Sequence, residues 1–175
     1  MSGGLVHLYC GDGKGKTTAA LGLGLRACGR GWRVLLVRFL KDMRSGELAA
    51  LAALPGFTVL ETPQKLPFVP RMTPTEKEDY RRWAGQMLEA AKTAARDGGC
   101  DLLILDEACA AAAHGIISEA EVTELLGSRP PSLEVVLTGR NPPQAWLELA
   151  DYVTEMRPLK HPYAQGIAAR EGIEY

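Results

Sequence analysis

The stretch LYCGDGKGKTTAA, residues 8–20, decides how the rest of the chain is read. It approaches the phosphate-loop pattern G-x-x-x-x-G-K-[ST] and ends well on Gly15, Lys16 and Thr17, but Cys10 stands where the pattern has its first glycine. The flanking residues supply the context. Leu5 to Tyr9 is a short apolar run bounded by glycines, and Thr17 to Cys28 carries Ala20, Leu21, Leu23 and Leu25 with no proline before Gly29 and Gly31. A strand, a loop and a helix in that order bring backbone N–H groups and a helix N-terminus to bear on a polyphosphate. Gly11, Gly13 and Gly15 permit positive φ and close approach of the ligand, Lys16 supplies charge, and Thr17 offers a hydroxyl to Mg2+. A chance glycine-rich turn would not usually place G-K-T-T at the mouth of a helix.

Working outward, Trp32 to Leu40 and Phe57 to Leu60 read as strands, with a helix over Gly46 to Leu54 between them. Glu61 to Met72 holds Pro63, Pro67 and Pro70 and reads as a loop of the length that is often functional. Thr73, Pro74 and Glu76 form a capping-box start. Tyr80, Trp83, Met87, Ala91 and Ala94 or Ala95 then give that helix a core-facing side. Asp101 to Leu105 is an apolar run after one acid, the pattern of a strand buried on both faces. Ser118 with Glu121 caps a short helix, Leu133 to Leu137 is a strand, Pro142 to Leu149 a helix, and Tyr152 to Met156 a last strand. Such alternation predicts a mainly parallel sheet with right-handed crossovers, in one domain over residues 1–175. Gly11 to Thr17, Asp106-Glu107 and Thr138 to Arg140 would then meet at the carboxyl ends of the strands, where such sheets bind ligands.

Leu102 to Glu107, L-L-I-L-D-E, has the form of the second nucleotide motif, whose strand-end acid holds a metal directly or through water. Alone it is a weak signal; downstream of a phosphate loop it is a strong companion. Arg140 reads either as a clamp on the phosphate chain or as a surface arginine. His7, His114 and His161 lie outside any metal or nucleophile motif, and no serine occupies a nucleophile elbow. An enzyme built on these residues would therefore take its nucleophile from the substrate. The formal charge of −1 gives no bulk attraction to nucleic acid or anionic membrane. Four cysteines without C-x-x-C spacing fit a reducing environment, and no apolar run approaches a membrane span, so a soluble cytoplasmic protein is expected.

Together, G-D-G-K-G-K-T-T at 11–18, L-D-E at 105–107, T-G-R at 138–140 and the ending R-P-L-K-H-P-Y-A-Q-G-I-A-A-R-E-G-I-E-Y at 157–175 resemble the ATP:corrinoid adenosyltransferases of the cobalamin pathway. The likeness runs in order along nearly the whole chain, and the ending is its most specific part. It implies a P-loop NTPase-like (RecA-like) three-layer α/β fold in which a non-glycine before Gly11 is a family trait. It also implies that ATP lies in reversed sense along the loop and gives its 5′-deoxyadenosyl group to the Co(I) centre of a reduced corrinoid, releasing triphosphate. Co(I) is itself a strong nucleophile, which accords with the missing general base.

Carried over by resemblance, Gly11, Asp12, Gly13, Lys14, Gly15, Lys16, Thr17 and Thr18 hold the triphosphate. Lys16, Thr17 and Glu107 carry the catalysis. Thr17 and Glu107 ligate Mg2+ or Mn2+ with Asp106 in support. Lys41, Glu47 and Phe68 lie toward the corrinoid, and Arg157, Lys160 and His161 shape the nucleotide pocket or a dimer contact. An electron donor for cobalt and a homodimer are implied as well. There are two departures. Relatives often begin with a segment covering the partner's active site, whereas here the first strand comes almost at once. They also carry a mid-chain aromatic pair that displaces the corrinoid's lower ligand, of which K-L-P-F-V-P-R-M, residues 65–72, keeps only Phe68. The competing readings are a P-loop ATPase or kinase cutting the β–γ bond, a RecA-like nucleic-acid module, and a nucleotide sensor without turnover.

Overall fold

Val6–Cys10 forms β1 and is followed by helix α1, Lys16–Cys28; then come β2, Val34–Arg38, helix α2, Glu47–Ala52, and β3, Phe57–Val59. Helix α3, Pro74–Arg96, leads to β4, Leu102–Asp106, and to α4, Ala108–Ala113, and α5, Glu119–Ser128. Strand β5, Glu134–Thr138, helix α6, Gln144–Leu149, and β6, Tyr152–Glu155, complete the series. These elements come from a computed structural model that describes residues 3–43 and 45–174.

The six strands form one sheet in the order β3-β2-β4-β5-β1-β6, and every pairing is parallel. Sequence explains which strands lie inside. The runs VLLVR and LLILD are buried at every position, as strands covered on both faces must be. Alternate residues of the inner strands serve two cores. Leu35, Val37, Leu103, Leu105, Val135 and Leu137 pack with α3, α5 and Trp146 of α6. Val34, Leu36, Leu102, Ile104 and Val136 pack with Ala20 of α1 and Leu51 of α2. Helices on both faces of the sheet make the three layers expected from the sequence. One strand, β5, lies between the loop-bearing β1 and the acid-bearing β4, so both halves of the expected site open at the carboxyl end of the parallel sheet.

Boundaries moved where tertiary contacts override local pattern. The predicted strand Trp32 to Leu40 stops at Arg38: Leu40 adopts φ 55, and its N–H donates to the Tyr80 hydroxyl at 2.7 Å, which turns the chain off the sheet. On α3 the fully buried line is Tyr80, Ala84, Leu88, Ala91 and Ala95, while Trp83, Met87 and Ala94 flank it half-buried. The proline-rich loop contains one tight turn, Val69–Arg71. The capping box is formed: the Glu76 N–H donates to Thr73 Oγ1 at 3.2 Å and the Thr73 N–H to Glu76 Oε2 at 2.8 Å. Helix α4 gave no sequence signal, since ACAAAA has no amphipathic period. Strand β6 and residues 157–174 are exposed, while Met156 between them is half-buried. Among the described residues no helix is long and apolar enough to cross a membrane.

Candidate active site

The loop after β1 is fastened from outside. The Gly13 N–H donates to the Met156 carbonyl at 2.7 Å, and the Met156 N–H donates to the Cys10 carbonyl at 2.8 Å. Gly11 has φ 94, and a Cβ there would lie 2.6 Å from the Met156 oxygen, so no other residue fits. Cys10, by contrast, is the last residue of β1, with its side chain buried in the core and its backbone in register with Glu155. The sharp turn thus begins one residue later than the generic pattern requires, which accounts for the absent glycine. Gly15 takes φ 115 and delivers the chain into α1, whose first-turn N–H groups face the loop. Lys16 bends back so that Nζ donates to the carbonyls of Gly11 at 2.7 Å and Gly13 at 2.8 Å. Burial pushes its pKa down, and the nearby charge of Glu107 opposes that shift.

At the end of β4, Asp106 is wholly buried. Its Oδ1 accepts from the hydroxyls of Thr17, at 2.9 Å, and Thr138, at 2.7 Å. Its Oδ2 makes no aligned hydrogen bond but faces the Lys41 ammonium at 2.7 Å. Lys41 Nζ also donates to Thr17 Oγ1 at 2.9 Å. Glu107 follows with φ 58, a strained conformation for a side-chain-bearing residue, and its N–H donates to Thr138 Oγ1 at 2.8 Å. Burial raises the Glu107 pKa and the Asp106 charge adds to this, while Lys41, Lys16 and Arg140 pull it down. Thr138 therefore ties both acids of L-D-E together from the end of β5. The next residue, Gly139, lets α4 pass, since a Cβ there would sit 2.8 Å from the Cys109 Cβ.

An open cleft of about 1220 Å³ joins these parts. Asp12, Lys14, Thr17, Thr18, Lys41, Glu47, Phe68, Glu107 and Arg140 all line it. Arg140 lies beside the loop, Nε 3.3 Å from Asp12 Oδ1, with both side chains exposed. Glu47 Oε1 lies 3.8 Å from Nη2 of the buried Arg38. Phe68 stands at the rim, 70% exposed. Lys41, read toward the corrinoid from sequence, lines the cleft and engages Asp106 and Thr17. Arg157 and Lys160 line a smaller cavity of about 620 Å³ between the loop and the carboxyl-terminal segment, and His161 borders both spaces. Sequence reasoning assigned no role to Thr138 or Met156. The T-G-R motif could have pointed to the threonine, whereas Met156 acts through its backbone and leaves no signal in its side chain.

Among the described residues no cluster of three or more His, Cys, Asp or Glu could hold a metal alone. The oxygens of Thr17 and Asp106 nevertheless suit a hard cation that completes its shell with phosphate oxygens and water. The Lys41 ammonium already rests against both of them as a stand-in cation.

A phosphate loop on β1, a strand-end acid pair on β4 and a third strand between them define a P-loop nucleotide-binding protein. Within that class the chain belongs to the ATP:corrinoid adenosyltransferase BtuR/CobO/CobP family, whose model matches residues 2–175. It is 34% identical over 177 residues to the corrinoid adenosyltransferase of Escherichia coli K12, covering 98% of this chain and 86% of the relative. Against the corrinoid adenosyltransferase CobA of Salmonella typhimurium LT2 the identity is 33%, with the same coverage. An uncharacterized protein of Nostoc sp. strain PCC 7120 is 40% identical over 172 residues, which is 92% of this chain; the chain spans about half the length of that relative, 46%.

Proposed function

We propose that this protein transfers the 5′-deoxyadenosyl group of ATP to the Co(I) centre of a reduced corrinoid and releases triphosphate. One observation beside family membership carries the reading: a polyphosphate cradle and Glu107 open into a cleft of about 1220 Å³, larger than the usual small-molecule site. Cobalt's electron pair forms the Co–C5′ bond as the bond from C5′ to the triphosphate oxygen breaks, with no proton to move. The protein's work is to align the two centres and to stabilise the leaving charge.

Lys16, the N–H groups at the start of α1, and Arg140 would receive the triphosphate. Thr17, Asp106 and Glu107 would hold Mg2+ or Mn2+, which when bound neutralises charge on the leaving group. Thr138 orients the Asp106 carboxylate and fixes the backbone of Glu107. Glu47 and Phe68 border the part of the cleft we assign to the corrinoid, Lys41 lies between that space and the acids, and Phe68 with Val69 or Met72 would exclude water from cobalt. An external electron donor, a homodimer and a cytoplasmic setting complete the proposal.

The test is to incubate the protein with MgATP and a chemically reduced corrinoid, following the adenosylcobalt spectrum and the inorganic product together. Adenosylcorrinoid with equimolar triphosphate is expected. ADP or orthophosphate without adenosylcorrinoid would overturn the proposal in favour of β–γ cleavage.

A further inference from the structure

Lys41 is placed by a chain of contacts that begins in the sheet. Arg38, the last residue of β2, is in register with Asp106, and the Phe39 N–H still donates to the Asp106 carbonyl at 2.9 Å. Leu40 then turns through φ 55, held by the Tyr80 hydroxyl. That turn aims residue 41 back across the strand ends instead of onward along β2. Its Nζ reaches Asp106 Oδ2 at 2.7 Å and Thr17 Oγ1 at 2.9 Å.

These are two of the oxygens that a divalent cation would take. A magnesium ion needs its ligands at roughly 2.0–2.1 Å in octahedral array, so an ammonium resting on the same two oxygens occupies the same space. Electrostatics explain why the place is filled. A wholly buried carboxylate without a counter-charge is costly, and hydroxyl donors alone do not neutralise it.

We propose that Lys41 is a built-in counter-cation that keeps Thr17 and Asp106 assembled when no ligand is bound, and that arrival of a metal–nucleotide displaces its ammonium into the cleft. The four-carbon stem allows the swing without backbone movement. Lys41 is then a positioning residue with two stations, and it makes metal binding conditional. Free metal must compete with a tethered ammonium at high effective concentration. A metal that arrives with a polyphosphate gives the ammonium a new partner for its charge. The inference rests on Thr17 and Asp106 as metal neighbours and is indifferent to which bond of ATP is cut.

The decisive probe is Mn2+ alone, without nucleotide or corrinoid, titrated into the whole protein and followed by the electron paramagnetic resonance of the free ion. Lys41→Met is expected to bind Mn2+ at least tenfold more tightly than the wild type, and its melting temperature should rise more with Mn2+ than the wild type's does. Lys41→Arg, which keeps the charge, should remain as weak a binder as the wild type. Equal or weaker Mn2+ binding by Lys41→Met would overturn the proposal.

If that variant does not fold, the wild type supplies the test. Nitrogen-15 resonances of the lysine ammonium groups, with Lys41 assigned by its loss in Lys41→Arg, should include an ordered Lys41 signal in the ligand-free protein. That signal should move on addition of Mg2+ with a non-hydrolysable ATP analogue. An unmoved signal at nucleotide saturation would overturn the proposal. Because neither measurement involves turnover, failure here is separable from failure of the adenosyl-transfer assay.

Discussion

The N–H of Gly13 and the carbonyl of Met156 meet at 2.7 Å, so the phosphate loop is held by the backbone that follows the edge strand β6. A Cβ on Gly13 would lie 2.7 Å from that oxygen and 2.8 Å from its carbon, neither of which can yield as a side-chain tip would. Gly13→Ala should therefore cost about 1–3 kcal/mol of stability and weaken ATP binding by more than about tenfold, read by thermal melting and nucleotide titration. Gly22, within α1, is the contrast, because nothing lies within 4 Å of a Cβ there. Gly22→Ala should stabilise the protein by up to about 1 kcal/mol and leave ATP binding unchanged.

Tyr80 joins helix α3 to the turn that carries Lys41. Its hydroxyl accepts the Leu40 N–H, and burial pushes its pKa up to about 12, so the contact is intact across the working pH range. Tyr80→Phe leaves that N–H without its partner at about 1–2 kcal/mol, measurable as a lower denaturant midpoint with an unchanged slope. Because Lys41 is the next residue, the variant should also bind Mn2+ more tightly than the wild type.

Asp101, just before β4, accepts from the Arg33 backbone N–H at 2.8 Å, from Arg33 Nε at 3.1 Å and from Nη2 at 2.7 Å. The side-chain hydrogen bonds from Arg33, followed by the backbone bond, hold its carboxyl below the ordinary value of 3.8. A carboxyl whose folded pKa is depressed adds stability that is complete above its unfolded value and is lost as the pH falls through the folded one. Asp101→Asn should accordingly melt below the wild type at neutral pH, with the gap closing only as the pH drops below 3.8. The Arg33 side chain is exposed and that of Asp101 partly so, and the difference at neutral pH should stay within about 1 kcal/mol.

Phe68 contributes little to the core, being 70% exposed. Phe68→Ala should leave the melting temperature within about 0.5 kcal/mol equivalent of the wild type. Adenosylation of a Co(II) corrinoid with reductant supplied should nevertheless fall by at least about tenfold, a change of about 1.4 kcal/mol in the barrier. An unchanged rate would withdraw the wedge role.

What could be read in advance follows from the range of each interaction. Gly15, Lys16 and Thr17 were legible because loop, charge and helix start are neighbours in sequence. Asp106 and Glu107 were legible because a buried parallel strand is a continuous apolar run and two acids end it abruptly. Thr138 reaches Asp106 across 32 residues, and Met156 works through atoms that every residue shares. The station of Lys41 depends on Leu40 in a left-handed turn, a conformation leucine rarely takes and does not announce. Helix α4 was missed because six small residues carry no period, and its close passage is visible only at Gly139.

The place of β1 in the sheet also orders events in time. Of the six described strands, the one that carries the phosphate loop precedes the others in sequence, yet its partners among them are β5 and β6, through Val6 with Val135 and His7 with Tyr152 among others. During translation it has no partner strand until the ribosome has passed residue 135, and the loop lacks its clasp until Met156 has emerged. Contacts so distant in sequence close late and slowly. Assembly of β2, β3 and β4 can precede them, and the nucleotide pocket is then expected among the last parts of this fold to form. ATP supplied to a refolding or nascent chain should therefore act on the final step of maturation and leave the earlier ones alone.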